Sequence, residues 1–253
     1  MRGAISEMRY KRILLKLSGQ AVSGDQDSGF SPDALDHIAD QVLDLHRLGI
    51  QISLVIGGGN IFRGTMSSKW GIERAEADNI GMMGTVINSL MLRGVLTGRS
   101  QGQAEVRVMT AIPINTIAEP YIRLRAIHHL EKGYIVIFAG GTGNPYVTTD
   151  YTAALRAMET RSDALLFAKN QARGIFTADP QQDPTARLYR RVHYNTIIRR
   201  NLKVVDQSCI LLARDHSLPL HLFDFGERDT MRDICAGDDP GTLVTNVAED
   251  QLE

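Results

Sequence analysis

An apolar run that ends in a glycine-rich turn occurs three times in this chain, and each occurrence asks for the same local structure. The fullest begins at Tyr134-Ile135-Val136-Ile137-Phe138-Ala139, whose length and β-branched content predict a fully buried strand. Gly140-Gly141-Thr142-Gly143-Asn144-Pro145-Tyr146-Val147-Thr148-Thr149-Asp150 follows. Residues 151–160, with Ala153, Ala154, Leu155, Ala157 and Met158, then predict a helix. Strand, turn and helix in that order is how an α/β protein offers backbone N–H groups to an anion. The glycines let backbone approach a ligand, and Thr142, Asn144, Thr148 and Thr149 add side-chain donors. Asp150 is either the N-cap of the helix or, beside a phosphate, a holder of magnesium.

The second occurrence is Gln51-Ile52-Ser53-Leu54-Val55-Ile56, a predicted buried strand, with Gly57-Gly58-Gly59-Asn60 and Phe62-Arg63-Gly64 after it. Arg63 has the reach and the fork to clamp a phosphate. The third is Arg12-Ile13-Leu14-Leu15-Lys16-Leu17, closed by Ser18-Gly19. The chain has six lysines, so one inside an apolar strand stands out. Lys16 either snorkels at the strand end or meets a phosphate at the C-terminal edge of a sheet.

Between these stretches the pattern alternates strand and helix. Ser31-Pro32 starts a helix with Leu35, Ile38, Ala39, Val42, Leu45 and Leu48 on one face and Gly49 behind it. Residues 71–98 predict a long helix whose core face is Ile80, Met83, Ile87, Leu90 and Met91. Near its start, Asp78 is either a helix-dipole carboxylate or a ligand of a sugar's hydroxyl pair. A strand at 106–109, a helix at 120–132, a strand at 164–167, an extended flap at 176–184, a helix at 207–213 and strands at 219–223 and 242–244 complete the reading. Regular alternation predicts one mostly parallel sheet covered on both faces, a three-layer αβα sandwich. A parallel sheet would align the three glycine turns along one edge, as a ligand carrying several phosphates needs.

Composition bounds the alternatives. With 253 residues, 43% of them hydrophobic, the chain can bury a full core. A net charge of −1 from 28 basic and 29 acidic residues indicates neither a nucleic-acid nor a membrane-surface partner. Cys209 and Cys235 make no metal-ligand spacing, residues 1–12 carry no apolar leader, and no apolar run approaches the length of a membrane span. The expected location is the cytoplasm. Neither a Walker sequence nor GxGxxG occurs, and Asp224-Phe225-Gly226 lacks the other protein-kinase motifs.

The combination of Lys16-Leu17-Ser18-Gly19, Gly57-Gly58-Gly59-Asn60, Phe62-Arg63-Gly64 and Gly141-Thr142-Gly143-Asn144-Pro145 with Thr148-Thr149-Asp150 resembles the bacterial uridylate kinases of the amino-acid-kinase superfamily. Phe176-Thr177-Ala178-Asp179-Pro180 and Leu212-Ala213-Arg214-Asp215-His216 extend the resemblance. It implies a single domain over residues 1–253, with an acceptor half at about 11–165 and an ATP half at about 166–246. It also implies transfer of the ATP γ-phosphoryl to UMP with magnesium, in pyrimidine nucleotide biosynthesis, by a homohexamer.

Carried over position by position, Lys16, Leu17, Ser18, Gly19, Gly59 and Arg63 would face the ATP phosphates, and Asn170, Phe176 and Asp179 the adenosine. Gly58, Asp78, Thr142, Gly143, Asn144, Pro145, Tyr146, Val147, Thr148 and Thr149 would form the UMP site. Lys16 and Arg63 would supply cations, with Asp150 and Asp206 orienting Lys16 or metal-bound water, and magnesium would ride on the nucleotide phosphates. The family's GTP-responsive loop corresponds to residues 23–29, making GTP and UTP candidate effectors. One departure is Ala172-Arg173-Gly174, where the family has Val-Asp-Gly. The resemblance leaves two rivals: a superfamily kinase acting on a carboxylate or carbamate, and a nucleotide-binding storage or regulatory protein on the same fold.

Overall fold

The computed structural model describes residues 8–170 and 172–253. The expected lack of an apolar leader concerns a segment whose first seven residues lie outside them, as does Gln171 within the ATP half. Strands β1 (Arg12–Leu17), β2 (Gln51–Ile56), β3 (Val106–Thr110), β4 (Glu119–Pro120) and β5 (Ile135–Ala139) belong to the first half. Strands β6 (Ala164–Lys169), β7 (Tyr189–His193), β8 (Leu220–Asp224), β9 (Thr242–Thr245) and β10 (Gln251–Leu252) follow. All lie in one sheet, ordered β10-β7-β9-β8-β6-β1-β2-β5-β3-β4. From β8 to β4 every pairing is parallel, while β9 runs antiparallel to β8 and β10 to β7.

The helices are α1 (Gln20–Ser23), α2 (Pro32–Arg47), α3 (Gly64–Trp70), α4 (Arg74–Arg99), α5 (Arg123–Glu131), α6 (Thr149–Glu159), α7 (Tyr194–Arg199), α8 (Gln207–Asp215) and α9 (Thr230–Ala236). The period-two geometry of a strand assigns the layers. On β1, Ile13, Leu15 and Leu17 join one apolar core with Ile38 and Val42 of α2, Leu92 of α4 and Ile234 of α9. Leu14 faces the other way, into a core built with Ala153 and Ala157 of α6 and Cys209 and Ile210 of α8. The architecture is thus an αβα sandwich, and Lys16 shares the parity of Leu14.

Three sequence expectations need correction. The helix expected from residue 120 starts at Arg123, because Glu119 and Pro120 pair with β3 as a short edge strand. The helix expected over 71–98 runs from Arg74 to Arg99 and is rotated from the expected phase. Its buried stripe is Ala77, Met82, Thr85, Val86, Asn88, Ser89, Leu92 and Leu96, whereas Met83, Ile87 and Met91, expected in the core, are exposed. Two polar members of that stripe, Thr85 and Asn88, serve backbone hydrogen bonds described below. Finally, the N-cap of α6 is Thr148, whose hydroxyl accepts the Tyr151 N–H at 3.2 Å, and not Asp150. Among the described residues α4 is long and apolar enough to cross a membrane, yet it packs on α2, β3 and β5.

β6 continues into Gly174, which passes against β9 so closely that a side chain would overlap the Thr242 hydroxyl. That hydroxyl has no freedom to move, since it accepts the Ile175 N–H at 2.8 Å and donates to the Tyr189 carbonyl at 2.5 Å. Gly174→Ala is expected to cost about 2 kcal/mol through overpacking. Its melting temperature should then fall by roughly 4–8 °C. An unchanged melt would show that the flap base has room to spare.

Candidate active site

β1 is flanked by β2 on one side and β6 on the other: the chain runs from β1 to β2 and on to that edge, then crosses back from β5 to build outward from β6. It is therefore the topological switch point, where a crevice opens beyond the strands' carboxyl ends. The three glycine turns all meet there. Gly19 follows β1, and a Cβ on it would lie 2.6 Å from the Gly59 nitrogen, so the first turn touches the second through bare backbone. The Gly57 carbonyl accepts Asn88 Nδ2 of α4 at 2.7 Å, and Asn60 and Asn88 exchange amide hydrogen bonds at 2.7 and 3.0 Å. The third turn is tied to the same helix, because the Gly140 N–H donates to Thr85 Oγ1 at 2.9 Å. The polar stripe of α4 thus holds two phosphate-type turns whose backbone has no sheet partner.

Lys16 is the charged centre. Its ammonium lies 2.5 Å from Asp150 Oδ1, with the two side chains 10% and 17% exposed. Asp150 stands in the first turn of α6, and its other oxygen accepts the Asp206 N–H of the α8 N-terminus at 3.2 Å. Burial pushes the Asp150 carboxyl up, but the Lys16 ammonium, Lys169 and the Asp206 N–H outweigh it and hold the group below its ordinary value. The Asp206 carboxylate is occupied in capping α8, accepting the Ser208 N–H and hydroxyl at 2.8 Å each. A residue absent from the sequence expectations joins them: Lys169 ends β6 and donates to the Val204 carbonyl at 2.8 Å. Its signal was a second lysine closing an apolar strand.

Beside the second and third turns a cleft of ≈ 160 Å³ is lined by Gly58, Asp78, Gly141, Asn144, Val147 and Thr149, together with α4. Thr142 Oγ1 is buried without a hydrogen-bond partner, while Gly143, Tyr146 and Thr148 are exposed and Pro145 is half-buried. Asp78 is already engaged, chelated by Arg74 Nε at 2.9 Å and accepting the Tyr146 N–H at 2.8 Å. A larger cleft, of ≈ 730 Å³, lies between α2 and α9 and contains none of the expected site residues.

Other expected residues sit farther out. Arg63 is exposed and donates to the Gly59 and Asp27 carbonyls at 3.2 and 3.3 Å, tying the loop at residues 23–29 to the second turn. Asn170 is exposed just beyond β6, and Phe176 bridges to Leu188 at the base of the flap. Asp179 accepts the Gln181 N–H within that flap. Arg173, exposed, pairs with Glu253 at 2.9 Å. Among the described residues no cluster of three metal-ligating side chains occurs.

Comparison with known proteins gives the class. The amino acid kinase family matches residues 11–224, and the chain belongs to that family. It is 49% identical to the uridylate kinase of Frankia casuarinae, over 97% of this chain and 94% of that one. It is 45% identical to the uridylate kinase of a Wolbachia from Brugia malayi, over 96% and 97%. The crystal structure of UMP kinase from Bacillus anthracis superposes with a TM-score of 0.93 at 54% identity, over 96% and 99% of the two chains. Within the amino acid kinase family the chain therefore falls among the uridylate kinases.

The Lys16–Asp150 pair has a pH signature. A carboxyl lowered in the folded state contributes stability that is full above its unfolded value and is lost as pH falls through the folded one. The stability of the native protein should therefore drop more steeply between about pH 4 and pH 2 than that of Asp150→Asn. Urea midpoints measured across that range decide it, and parallel curves would show that Asp150 is not held in its charged form.

Proposed function

We propose that the protein transfers the γ-phosphoryl group of ATP to UMP, giving UDP and ADP. The observation that carries this reading is the buried Lys16–Asp150 pair, set where three glycine turns converge and beside a cleft with Asp78 at its rim. Turn N–H groups from Gly19 and Gly57 to Gly59 would cradle the donor's phosphates, and Lys16 would meet charge building on the transferring oxygens. Asp150, fixed from two sides, orients Lys16. The acceptor is an anionic phosphate, so no general base is required. Asp78 and the orphaned Thr142 hydroxyl support placement of the UMP ribose and phosphate in the acceptor cleft. Leu17, Ser18, Asn170, Phe176 and Asp179 would complete the ATP side.

Magnesium fits this site as an ion carried by the nucleotide. Asp150 and Asp206 are spent on other partners, and among the described residues no three-ligand cluster replaces them. When bound it would neutralise phosphate oxygens. The assembly in this reading is a homohexamer in the cytoplasm. What supports self-association is the outer face of α4, where exposed Met83, Ile87 and Met91 flank a shallow groove lined by Leu90, Gly94 and Val95. The relatives named above favour UMP over the carboxylate and storage alternatives.

Coupled ADP release with UMP, CMP, dUMP, aspartate and carbamate tests the reading. Turnover is expected with UMP above all, and silence with UMP overturns the proposal. Lys16→Ala should lower kcat by on the order of a hundredfold while UMP still binds. Asp78→Asn should raise KM for UMP and leave KM for ATP nearly unchanged; equal losses for both nucleotides would reassign the residue.

A further inference from the structure

The pair at the centre of the site is charge-balanced, and the neighbouring lysine is not. On β6, Leu165 and Phe167 point into the core beneath α6 and α8, and Lys169 has the same parity. Lys16 is in register with Phe167, and its ammonium lies 5.8 Å from that ring, so both lysines rise on the same face at the same edge. Asp150 answers Lys16 at 2.5 Å. Among the described residues no carboxylate lies within 4.0 Å of the Lys169 ammonium, whose one hydrogen bond goes to the Val204 carbonyl at 2.8 Å. Two of its three N–H donors are therefore unspent. Burial and the field of Lys16 lower its pKa, and Asp150 only partly restores it. A half-buried cation kept at a cost, with donors to spare beside the convergent glycine turns, is suited to meet an anion.

We propose that Lys169 is the second cation of the transfer site, supplying the positive charge that Asp150 cancels on Lys16. The proposal rests on the phosphoryl-transfer reading above. In that step the bond from the γ-phosphorus to the β,γ-bridging oxygen breaks as a bond to a UMP phosphate oxygen forms. ADP leaves with the electron pair, and Lys169 keeps its proton throughout. The bland alternative is that Lys169 only staples the segment before α8 through Val204.

Lys169→Gln separates the two, because glutamine keeps an N–H donor for Val204 and loses the charge. With the full chain, ATP and UMP, Lys169→Gln and Lys169→Met should each lose roughly tenfold to a hundredfold in kcat. KM for UMP should stay within about threefold, and Lys169→Arg should recover part of the loss. The titratable groups facing Lys169 are Lys16 of β1, Asp150 of α6 and Cys209 of α8, and burial raises the Cys209 thiol well above its usual value. A fall in kcat/KM for ATP on the basic side, below the ordinary lysine range, should therefore belong to Lys169 and vanish in Lys169→Gln. Wild-type turnover in Lys169→Gln overturns the proposal. So does a loss confined to UMP affinity. Calorimetry with a non-hydrolysable ATP analogue reads the charge without turnover: Lys169→Gln should bind about tenfold more weakly, and equal binding overturns the assignment. If the native protein releases no ADP with UMP, the kinase reading fails, while the calorimetric arm still decides Lys169.

Discussion

Two charged side chains taken out of water at the middle of a sheet constrain everything around them. Lys16 and Asp150 meet at 2.5 Å with little solvent access, and a buried pair of this kind gives scant net stability but punishes loss of either partner. Its structural effect is to tie three elements to one point. β1 contributes the lysine, α6 the carboxylate, and α8 the Asp206 N–H that occupies the second carboxylate oxygen. Because β1 is the switch strand, that point is also where the crevice opens. A charge that folding must match thus fixes the place where phosphate charge can be received.

The glycine turns pose the complementary problem. A loop that keeps N–H groups pointed at an incoming anion leaves its carbonyls and remaining donors without ladder partners. Here α4 takes up that burden: Thr85 receives the Gly140 N–H, and Asn88 donates to the Gly57 carbonyl and locks with Asn60. Polar residues in a helix core are costly unless satisfied, and Thr85 and Asn88 are. Part of the apolar surface of α4 is consequently turned outward, which leaves Met83, Ile87 and Met91 as an exposed stripe.

That exchange explains where sequence reasoning failed. The apolar repeat on α4 was read as core because periodicity rewards hydrophobic residues and has no way to see a backbone turn waiting for amide partners. Strands β1, β2, β3, β5 and β6, by contrast, were legible to within a residue or two, because each is an apolar run bounded by glycine or polar turns, whereas the two-residue β4 was not. The Ser31 cap of α2 was legible too, its hydroxyl accepting the Ala34 N–H at 3.4 Å. Elements of the second half were harder. β7 carries Arg190 and Arg191, and α7 and α9 are six or seven residues long, too short for periodicity to register. The local pattern reads Asp150 as a cap, but only the resemblance set it beside Lys16, since tertiary pairing overrides a local preference.

The site is asymmetric in how its two sides are held. One side is rigid: Lys16, Asp150 and the buried glycine turns are held by strands and by α4, so their donors cost little to organise when a ligand arrives. The other side is held by contacts a ligand must replace. Arg63 spends its guanidinium on the Gly59 and Asp27 carbonyls, and Asp78 spends its carboxylate on Arg74 and the Tyr146 N–H. Each of these is an exposed, charge-assisted contact of modest worth, which an anion or a ribose can outbid. A site built this way keeps its reactive geometry fixed in the fold and places its adaptable contacts at the rim, where substrates enter.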